Sequence, residues 1–275
     1  MRRFLGKAGI YSAAAAVLVF SVFPFVWMAL TSFKPNEEIF TAVPRLLPTR
    51  WTLAQYRYVI DRGGFGRYFL NSAVIALFTT LCGIFVASLA AYALARFRFP
   101  GRTVFLLLIL VVQMFPLVVL IIPLFIIMRR LGLLDSYLGL VIAYTTFTLP
   151  FGVWMLKGYF ESIPSSLEEA AMIDGCSRMA AFARVIVPVS APGIAASSIY
   201  AFIGAWNEFM FAMTFINKES MRTLPLGLQA FFGQFTVEWG PVMAASVIFT
   251  LPVLVFFLLV QKRLTTGLVK GAVKG

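Results

Sequence analysis

Apolar runs about as long as a bilayer is thick are the feature that most limits what this chain can fold into. A helix needs about 20 apolar residues to cross the hydrocarbon core. Six such runs can be read from the sequence, at residues 10–30, 69–94, 104–128, 138–156, 193–216 and 241–260. Because unpaired backbone groups are costly in lipid, each run is expected to be helical. The pattern predicts an all-α integral membrane protein with six transmembrane helices.

Composition agrees with this prediction. Apolar residues make up 61% of the chain and charged residues 12%, whereas soluble domains have about 45–50% and about 25%. Mean hydropathy is +0.91. The run at 10–30 is too long for a cleavable signal peptide, so we expect it to remain as a span. We expect one transmembrane domain over residues 1–275.

Basic residues next to the runs predict the orientation, because cytoplasmic segments are rich in Lys and Arg. An even number of spans puts both termini on one side, and the short basic segments predict that this side is the cytoplasm. These segments contain Arg2, Arg3, Lys7, Arg96, Arg98, Arg102, Lys262, Arg263, Lys270 and Lys274. The first external loop, residues 31–68, runs against the rule, since it carries six Lys or Arg residues and three acidic ones.

Several classes of function are disfavoured by what the sequence lacks. The net charge of +12 is explained by orientation and anionic lipid, so we expect no nucleic-acid partner. Histidine is absent, and the two cysteines, Cys82 and Cys176, stand in no ligand or redox spacing. We therefore expect no metal site and no membrane-embedded enzyme. No phosphate-binding G-x-x-x-x-G-K-[ST] motif occurs, so no ATPase site is expected in this chain.

Proline and polar residues interrupt the third and fourth runs. Gln113, with Pro116 and Pro123 after it, breaks an otherwise continuous aliphatic segment. Such a break is either a packing kink or a bend that lines a pore. The threonines of the fourth run, Thr145, Thr146 and Thr148, leave the same two alternatives, since hydroxyls also bond back to their own helix.

The fifth run contains Trp206, Asn207 and Glu208, and Glu208 is the only acidic residue that we place within the membrane. An ionisable group there usually faces the bundle interior or a water-filled cavity. One interpretation puts the three residues, with Gln113, on a polar translocation path. The other puts Glu208 near the external end of the helix, where it reaches head groups or an arginine.

A polar insert at residues 164–188 separates the fourth and fifth runs, and four of the eleven acidic residues lie between Glu161 and Asp174. Pro164 blocks extension from upstream, and Ser166 with Glu169 three residues later forms a capping-box pattern. Gly175 can adopt the left-handed conformation that ends a helix, and Ser177 can cap the next one. The insert is therefore predicted to be a short helix, a glycine turn and a second helix.

The short helix of the insert is predicted to bind a partner protein. Its small-residue face suits insertion into a groove, and its acidic groups suit a basic rim. The alternative is an amphipathic helix resting on the membrane surface. Such helices carry Lys or Arg and bulky apolar groups, whereas this one carries Glu169, Ala170, Ala171 and Asp174.

At this insert the chain resembles a known family. The E-A-A-x-x-x-G pattern with a later aliphatic-x-aliphatic-Pro resembles the EAA signature of importer-type ABC permeases, at Glu169, Ala170, Ala171, Gly175, Val185, Val187 and Pro188. Val185 and Val187 replace the usual Ile and Leu. The segments A-W-N-E-F and G-L-V-K-G-A-V-K-G resemble the smaller six-span permease subunit of maltose-type carbohydrate importers.

This resemblance implies the importer-type ABC permease fold and an ATP-driven importer of a di- or oligosaccharide in a bacterial inner membrane. The implied partners are a homologous second permease, two cytoplasmic ATP-binding subunits that hold Mg-ATP, and an extracellular or periplasmic sugar-binding protein. No cofactor is implied in this chain. The resemblance favours a pair of two different permease subunits over a pair of identical ones. It does not identify the sugar.

The resemblance also implies site residues. The cytoplasmic coupling helix that seats in the ATPase would comprise Leu167, Glu168, Glu169, Ala170, Ala171, Ile173, Asp174 and Gly175. The tail would reach the ATPase dimer through Gly267, Lys270, Gly271, Lys274 and Gly275. An alternative function is an ion-coupled secondary transporter with Glu208 as the proton site, which a single carboxylate without evident inverted repeats supports poorly.

Overall fold

The computed structural model describes residues 2–61, 64–233 and 236–272. The regular secondary structure in these ranges is helical apart from one isolated bridge between Phe232 and Val237, and turns and irregular segments connect the helices. The all-α prediction is confirmed for this part of the chain. In order, the α-helices are α1 (Arg2–Ser32), α2 (Asn36–Ile39), α3 (Ala54–Asp61), α4 (Phe65–Arg96), α5 (Arg102–Met114), α6 (Leu117–Arg130), α7 (Tyr137–Ser162), α8 (Ser166–Ile173), α9 (Arg178–Ala181), α10 (Val187–Val189), α11 (Ala191–Trp206), α12 (Met210–Phe215), α13 (Leu224–Leu228) and α14 (Trp239–Ala272).

Four helical segments in the described ranges are long and apolar enough to cross a membrane unbroken: Gly9–Ser32, Phe65–Arg96, Tyr137–Ser162 and Trp239–Gln261. Two further candidates are bent helix pairs. The α5–α6 pair bends by 103°, and Arg178–Val189 with Ala191–Trp206 bends by 77°. The predicted number of six spans is reached when each bent pair is taken as one span.

The bend between α5 and α6 follows from Pro116. Proline lacks an N–H and disfavours helical angles at the residue before it. Phe115 accordingly has φ −70° and ψ 132°, which is extended backbone. The predicted interruption of the third run is therefore confirmed, as a full break between two helices.

The fifth run is not the continuous helix predicted over residues 193–216. Helix α11 ends at Trp206, and α12 begins only at Met210. The break has a local cause that is described with the site below.

The chain forms two compact units. The first comprises the described residues of Met1–Gly66 and Leu228–Leu251, and the second those of Arg67–Gly227 and Pro252–Gly275. A single permease domain over residues 1–275 stays a prediction.

Small residues allow the long helices of the second unit to pack closely, as is common between membrane helices. An added Cβ at Gly152 would lie 3.2 Å from the Cβ of Ala87, and one at Gly204 would lie 3.4 Å from Thr148. The threonine hydroxyls of α7 bond back to their own helix, from Thr145 to Val141, Thr146 to Ile142 and Thr148 to Tyr144. Each of these three hydroxyls is therefore satisfied within its own helix, as the packing alternative predicts.

Gly193→Ala is expected to destabilise the contact between α11 and α7. The added Cβ would lie 2.6 Å from the ring of Tyr159, so the ring or the helix must shift, at about 1–3 kcal/mol. Gly158→Ala is the matched control, because nothing lies within 4 Å of its added Cβ and alanine favours the helix. Thermal unfolding in detergent should show a lower midpoint for Gly193→Ala only. Equal midpoints would contradict the close approach.

In the first unit, polar contacts fold residues 31–61 against the end of α1. The Ser32 hydroxyl lies 2.7 Å from the Tyr56 hydroxyl, and the Gln55 side chain donates to the Lys34 carbonyl. The Glu38 carboxylate accepts bonds from Thr49 and from the Arg50 backbone N–H. These bonds, above all the one from the Thr49 hydroxyl, lower the pKa of Glu38. The described part of the first external loop is thus held in a defined conformation at the end of α1.

Candidate coupling site and cavity

Helix α8 begins at Ser166, directly after Pro164 and Ser165. The predicted capping box between Ser166 and Glu169 is wrong. Ser165, the residue before the helix, already has helical backbone angles, and its side chain forms no capping hydrogen bond. Its carbonyl accepts hydrogen bonds from the N–H groups of Glu168 and Glu169. Because the backbone is already helical at Ser165, Ser166 lies inside the first turn and cannot act as the cap.

The end of α8 agrees with the sequence prediction. Gly175 has φ +88°, the left-handed region that favours glycine. Its N–H donates to Met172 and the next N–H, of Cys176, donates to Ala171, which is the usual glycine-terminated helix end. Ser177 then caps α9 by accepting a bond from the Ala180 N–H at 3.2 Å.

The second helix of the insert is less regular than predicted. Helix α9 has four residues and passes into a π-helical segment, Phe182–Ile186, before α10. Pro188 has no N–H with which to continue the normal helical ladder. The insert is therefore a helix, a glycine turn and a helix with a π-helical middle.

A buried ion pair fixes α8 to the end of α4. Glu168 is only 4% exposed, and its carboxylate accepts a bond from Arg96 at 2.6 Å and from the Tyr92 hydroxyl at 3.1 Å. Arg96 also donates to the Ile163 carbonyl just before α8. Glu168, predicted to contact an ATPase, instead points into its own chain and positions the helix. Arg96 at the end of the second run was the only sequence signal for this partner.

The opposite side of α8 is open. Ile173 is 86% exposed, and Leu167 is exposed on the same short helix. Glu169, Ala170 and Asp174 are also exposed. We call the surface formed by Leu167, Glu169, Ala170, Ile173 and Asp174 the coupling face. A helix that is fixed to its own chain on one side and exposed on the other is suited to bind in a groove of another protein.

An aromatic cluster supports α8 from beneath. The Tyr92 ring lies 4.5 Å from Phe182, and Phe160 packs edge-on against both. These residues belong to one buried cluster that joins α4 and α7 to the insert. Displacement of α8 would therefore act on two long membrane helices through packed side chains.

A mostly apolar cavity of about 680 Å³ lies in the second unit, lined by α6, α7, α11 and the segment between α11 and α12. Asn207 and Glu208 line it, and their place on a translocation path stays a prediction. Trp206 does not, because it is 0% exposed and stacks on Phe202 in the packed interior. Gln113 is exposed on α5 and is not among the lining residues.

The turn between α6 and α7 is fixed to the end of α12 by Asp135. Asp135 has φ +52°, and its carboxylate accepts bonds from the N–H groups of Lys218 and Asn217 at 2.9 and 2.6 Å. These bonds lower the pKa of Asp135, and the bond from the Lys218 N–H has the largest effect. One end of the cavity wall is thus held in place.

The sequence of this chain matches a known protein family. Residues 79–269 match the family described as binding-protein-dependent transport system inner membrane component. The chain belongs to this family. It is a multi-pass inner-membrane permease of the ABC importer type, and the fold and family expected from the EAA pattern are confirmed.

Relatives match the permease over almost its whole length. It is 40% identical over 276 residues to the inner membrane ABC transporter permease protein YcjP of Escherichia coli, covering 100% of this chain and 99% of that protein. It is 40% identical over 265 residues to the trehalose/maltose transport system permease protein MalG of Thermococcus litoralis, covering 95% of each. A crystal structure of a bacterial ABC transporter involved in the import of the acidic polysaccharide alginate matches at TM-score 0.80 and 25% identity, covering 94% of this chain and 96% of that one.

The C-terminal tail of the permease is helical as far as it is described. Gly267, Lys270 and Gly271 lie in α14, which continues to Ala272. Lys274 and Gly275 lie outside the described residues. The contact of the tail with an ATPase stays a prediction.

Glu208 has a structural role that the sequence did not reveal. Its two carboxylate oxygens accept bonds from the N–H groups of Phe211 at 2.8 Å and Ala212 at 3.1 Å. A carboxylate in this position satisfies the free amides that begin α12. The break between α11 and α12 is stabilised in this way, and family membership does not support a proton-coupled carrier.

Glu208→Ala is expected to lower stability by about 1–2 kcal/mol, because two helix-start amides lose their acceptor. Glu208→Gln keeps one acceptor oxygen and should lose less. Asn207→Ala is the matched control for the thermal midpoint alone, since its side chain bonds back to the Ile203 carbonyl of its own helix. The check is the thermal midpoint together with transport between acid and neutral pH. If Glu208→Gln were stable and still transported, but its transport no longer depended on pH, Glu208 would be a proton site after all.

Proposed function

We propose that the chain is the smaller permease subunit of an ATP-driven importer for a di- or oligosaccharide. The observation that carries the proposal is the coupling face of α8, which is exposed and yet held from below by the buried Glu168–Arg96 pair. The sugar class is supported by the relatives, whose names include trehalose/maltose, diacetylchitobiose and sulfoquinovosyl glycerol transport.

In the proposed complex, this permease and a homologous second permease form the path through the membrane. Two cytoplasmic ATP-binding subunits hold Mg-ATP, and an external binding protein delivers the sugar. This chain has no phosphate-binding motif of its own. ATP binding and hydrolysis on the partners therefore supply the motion.

The coupling face would seat in a cleft of one ATP-binding subunit. Closure of the ATPase pair would push α8, and the packed cluster of Tyr92, Phe160 and Phe182 would pass the displacement to α4 and α7. The two bent helix pairs are suited to such rearrangement, because hinges lie at element ends. The path would alternate between inward-open and outward-open states, with α8 and both termini in the cytoplasm.

Asn207 and Glu208 are the proposed polar contacts of the path, since both line the 680 Å³ cavity. The other walls are mainly aliphatic and aromatic, with Phe147, Phe151 and Tyr200 among them. Aromatic faces and a few hydrogen-bonding groups are a combination that suits a sugar ring. The second permease would supply the remaining contacts.

Reconstitution tests this function. The chain, its co-expressed permease and ATP-binding subunits, and the binding protein are placed in liposomes with ATP inside and a labelled sugar outside. Trehalose, maltose and diacetylchitobiose form the first panel. We expect uptake of one sugar that requires both ATP and the binding protein. Uptake by this chain alone, driven by a proton gradient, would contradict the proposal.

A further inference from the structure

A small pocket in the first unit contains a buried cation. The pocket has a volume of about 340 Å³ and lies at the end of α1, with Trp27, Thr31, Lys34, Phe40, Trp239 and Met243 among its walls. We call it the Lys34 pocket. It is separate in the chain from the coupling face and from the cavity of the second unit.

Lys34 is only 3% exposed. Its ammonium donates to the Arg45 carbonyl at 2.6 Å and lies 4.8 Å from the centre of the Trp27 ring. No carboxylate of the described ranges forms a salt bridge with it. Burying a charge is unfavourable unless an opposite charge balances it, and two of the three ammonium protons are left for another acceptor.

A second donor in the pocket also lacks a partner. Thr31 is 5% exposed, and its hydroxyl has no hydrogen-bond partner among the described residues. Glu38 also lines the pocket, but its carboxylate accepts bonds from Thr49 and Arg50. The pocket therefore offers donors at Lys34 and Thr31 for another acceptor, while the acceptor oxygens of Glu38 are bonded to Thr49 and Arg50.

The location of the pocket points to lipid. Helix α1 exposes apolar side chains along its length, and Phe20 reaches 82%. An apolar helix of this length crosses the hydrocarbon core, so its end lies at the level of the lipid head groups. Trp27 and Trp239 flank the pocket at the end of this span, and tryptophan is typical of the head-group region.

The charge of the surrounding segment agrees. Residues 31–68 carry six basic and three acidic residues, an excess that the orientation rule does not explain for an external loop. Basic side chains at a membrane surface attract anionic head groups, at about 1 kcal/mol each. A lipid ligand accounts for this excess.

We propose that the Lys34 pocket binds the phosphate of an anionic phospholipid. Lys34 and Thr31 donate hydrogen bonds to the phosphate oxygens, and the charge of the phosphate balances the buried ammonium. The aromatic and apolar walls at Trp27, Trp239 and Met243 contact the glycerol and the first methylenes. Inorganic phosphate would accept the same hydrogen bonds, but it has no apolar part that could contact these walls.

The test is lipid retention by the purified full-length chain. Protein in detergent is mixed with equimolar phosphatidylglycerol and phosphatidylcholine of the same acyl length, and the bound lipids are counted by native mass spectrometry. A second arm adds millimolar inorganic phosphate. The variants are Lys34→Met, which keeps the apolar stem, and Thr31→Val, which keeps the shape. Arg57→Gln is the control, because Arg57 is an exposed cation of the same segment outside the pocket.

We expect the wild type and Arg57→Gln to prefer phosphatidylglycerol. Lys34→Met should reduce the preference about tenfold, as expected for one charge-assisted hydrogen bond, and Thr31→Val by a smaller factor. Thr31→Val keeps the proposal testable if Lys34→Met does not fold. Equal retention by wild type and both variants would overturn the proposal. Displacement of the lipid by inorganic phosphate would overturn the assignment to a lipid.

Discussion

Glu168→Ala is expected to lower the stability of the permease by about 3–5 kcal/mol, the usual effect of removing one partner of a buried ion pair. Arg96 would then be buried without a counter-charge, and the Tyr92 hydroxyl would lose its acceptor. Helix α8 would also lose its fixed position on α4. The measurement is the thermal midpoint in detergent, together with the amount of protein in the membrane.

Two variants separate the ion pair from the helix itself. Glu169→Ala changes the neighbouring carboxylate, which is exposed, and should leave the midpoint unchanged. Glu168→Gln keeps the shape and an acceptor for Tyr92, and we expect an intermediate loss. A midpoint for Glu168→Ala equal to that of Glu169→Ala would show that the ion pair does not hold α8 in place.

Ala170→Trp is expected to reduce ATP-driven sugar uptake by about 30-fold or more, the factor given by losing about 2 kcal/mol of docking energy. Ala170 is exposed in the middle of the coupling face. An indole there would fill the space that a partner groove must occupy, while the buried side of α8 stays unchanged. Stability should therefore remain normal, in contrast to Glu168→Ala.

Ala183→Trp is the matched control for this substitution. Ala183 is also exposed, but it lies in the π-helical segment after the glycine turn. Its uptake and its co-purification with the ATP-binding subunits should remain near the wild-type values. Normal uptake by Ala170→Trp would contradict the assignment of the coupling face.

Features with a local cause could be predicted from the sequence. Gly175 and Ser177 set their turn through their own backbone and side-chain chemistry. Pro116 breaks the third run because its ring acts on the residues next to it. The six apolar runs follow from length alone, although the third is a bent helix pair and the fifth is broken between α11 and α12.

Features that depend on distant partners could not be predicted. Glu168 lies one residue from the exposed Glu169, and only its pairing with Arg96, 72 residues away, shows which carboxylate is buried. Trp206 and Glu208 were grouped by sequence proximity, but packing puts the first in the interior and the second at a helix start. The capping box failed because the backbone is already helical at Ser165, so neither Ser165 nor Ser166 caps the helix with its side chain, and the sequence does not show this.

Cross-linking at Ile173 tests most directly whether the coupling face seats in the ATPase. The two native cysteines are first removed as Cys82→Ala and Cys176→Ser, and Ile173→Cys is introduced on the exposed face of α8. Leu138→Cys is the control. It is exposed at the other end of α7, whose 26 residues extend about 39 Å.

In the assembled complex, a short bifunctional thiol reagent should join Ile173→Cys to an ATP-binding subunit, and the yield should change when ATP is added. Leu138→Cys should give no such product. If the ATP-binding subunits co-purify with the permease and yet Ile173→Cys forms no cross-link to them, the coupling face does not receive the motion of the ATPase.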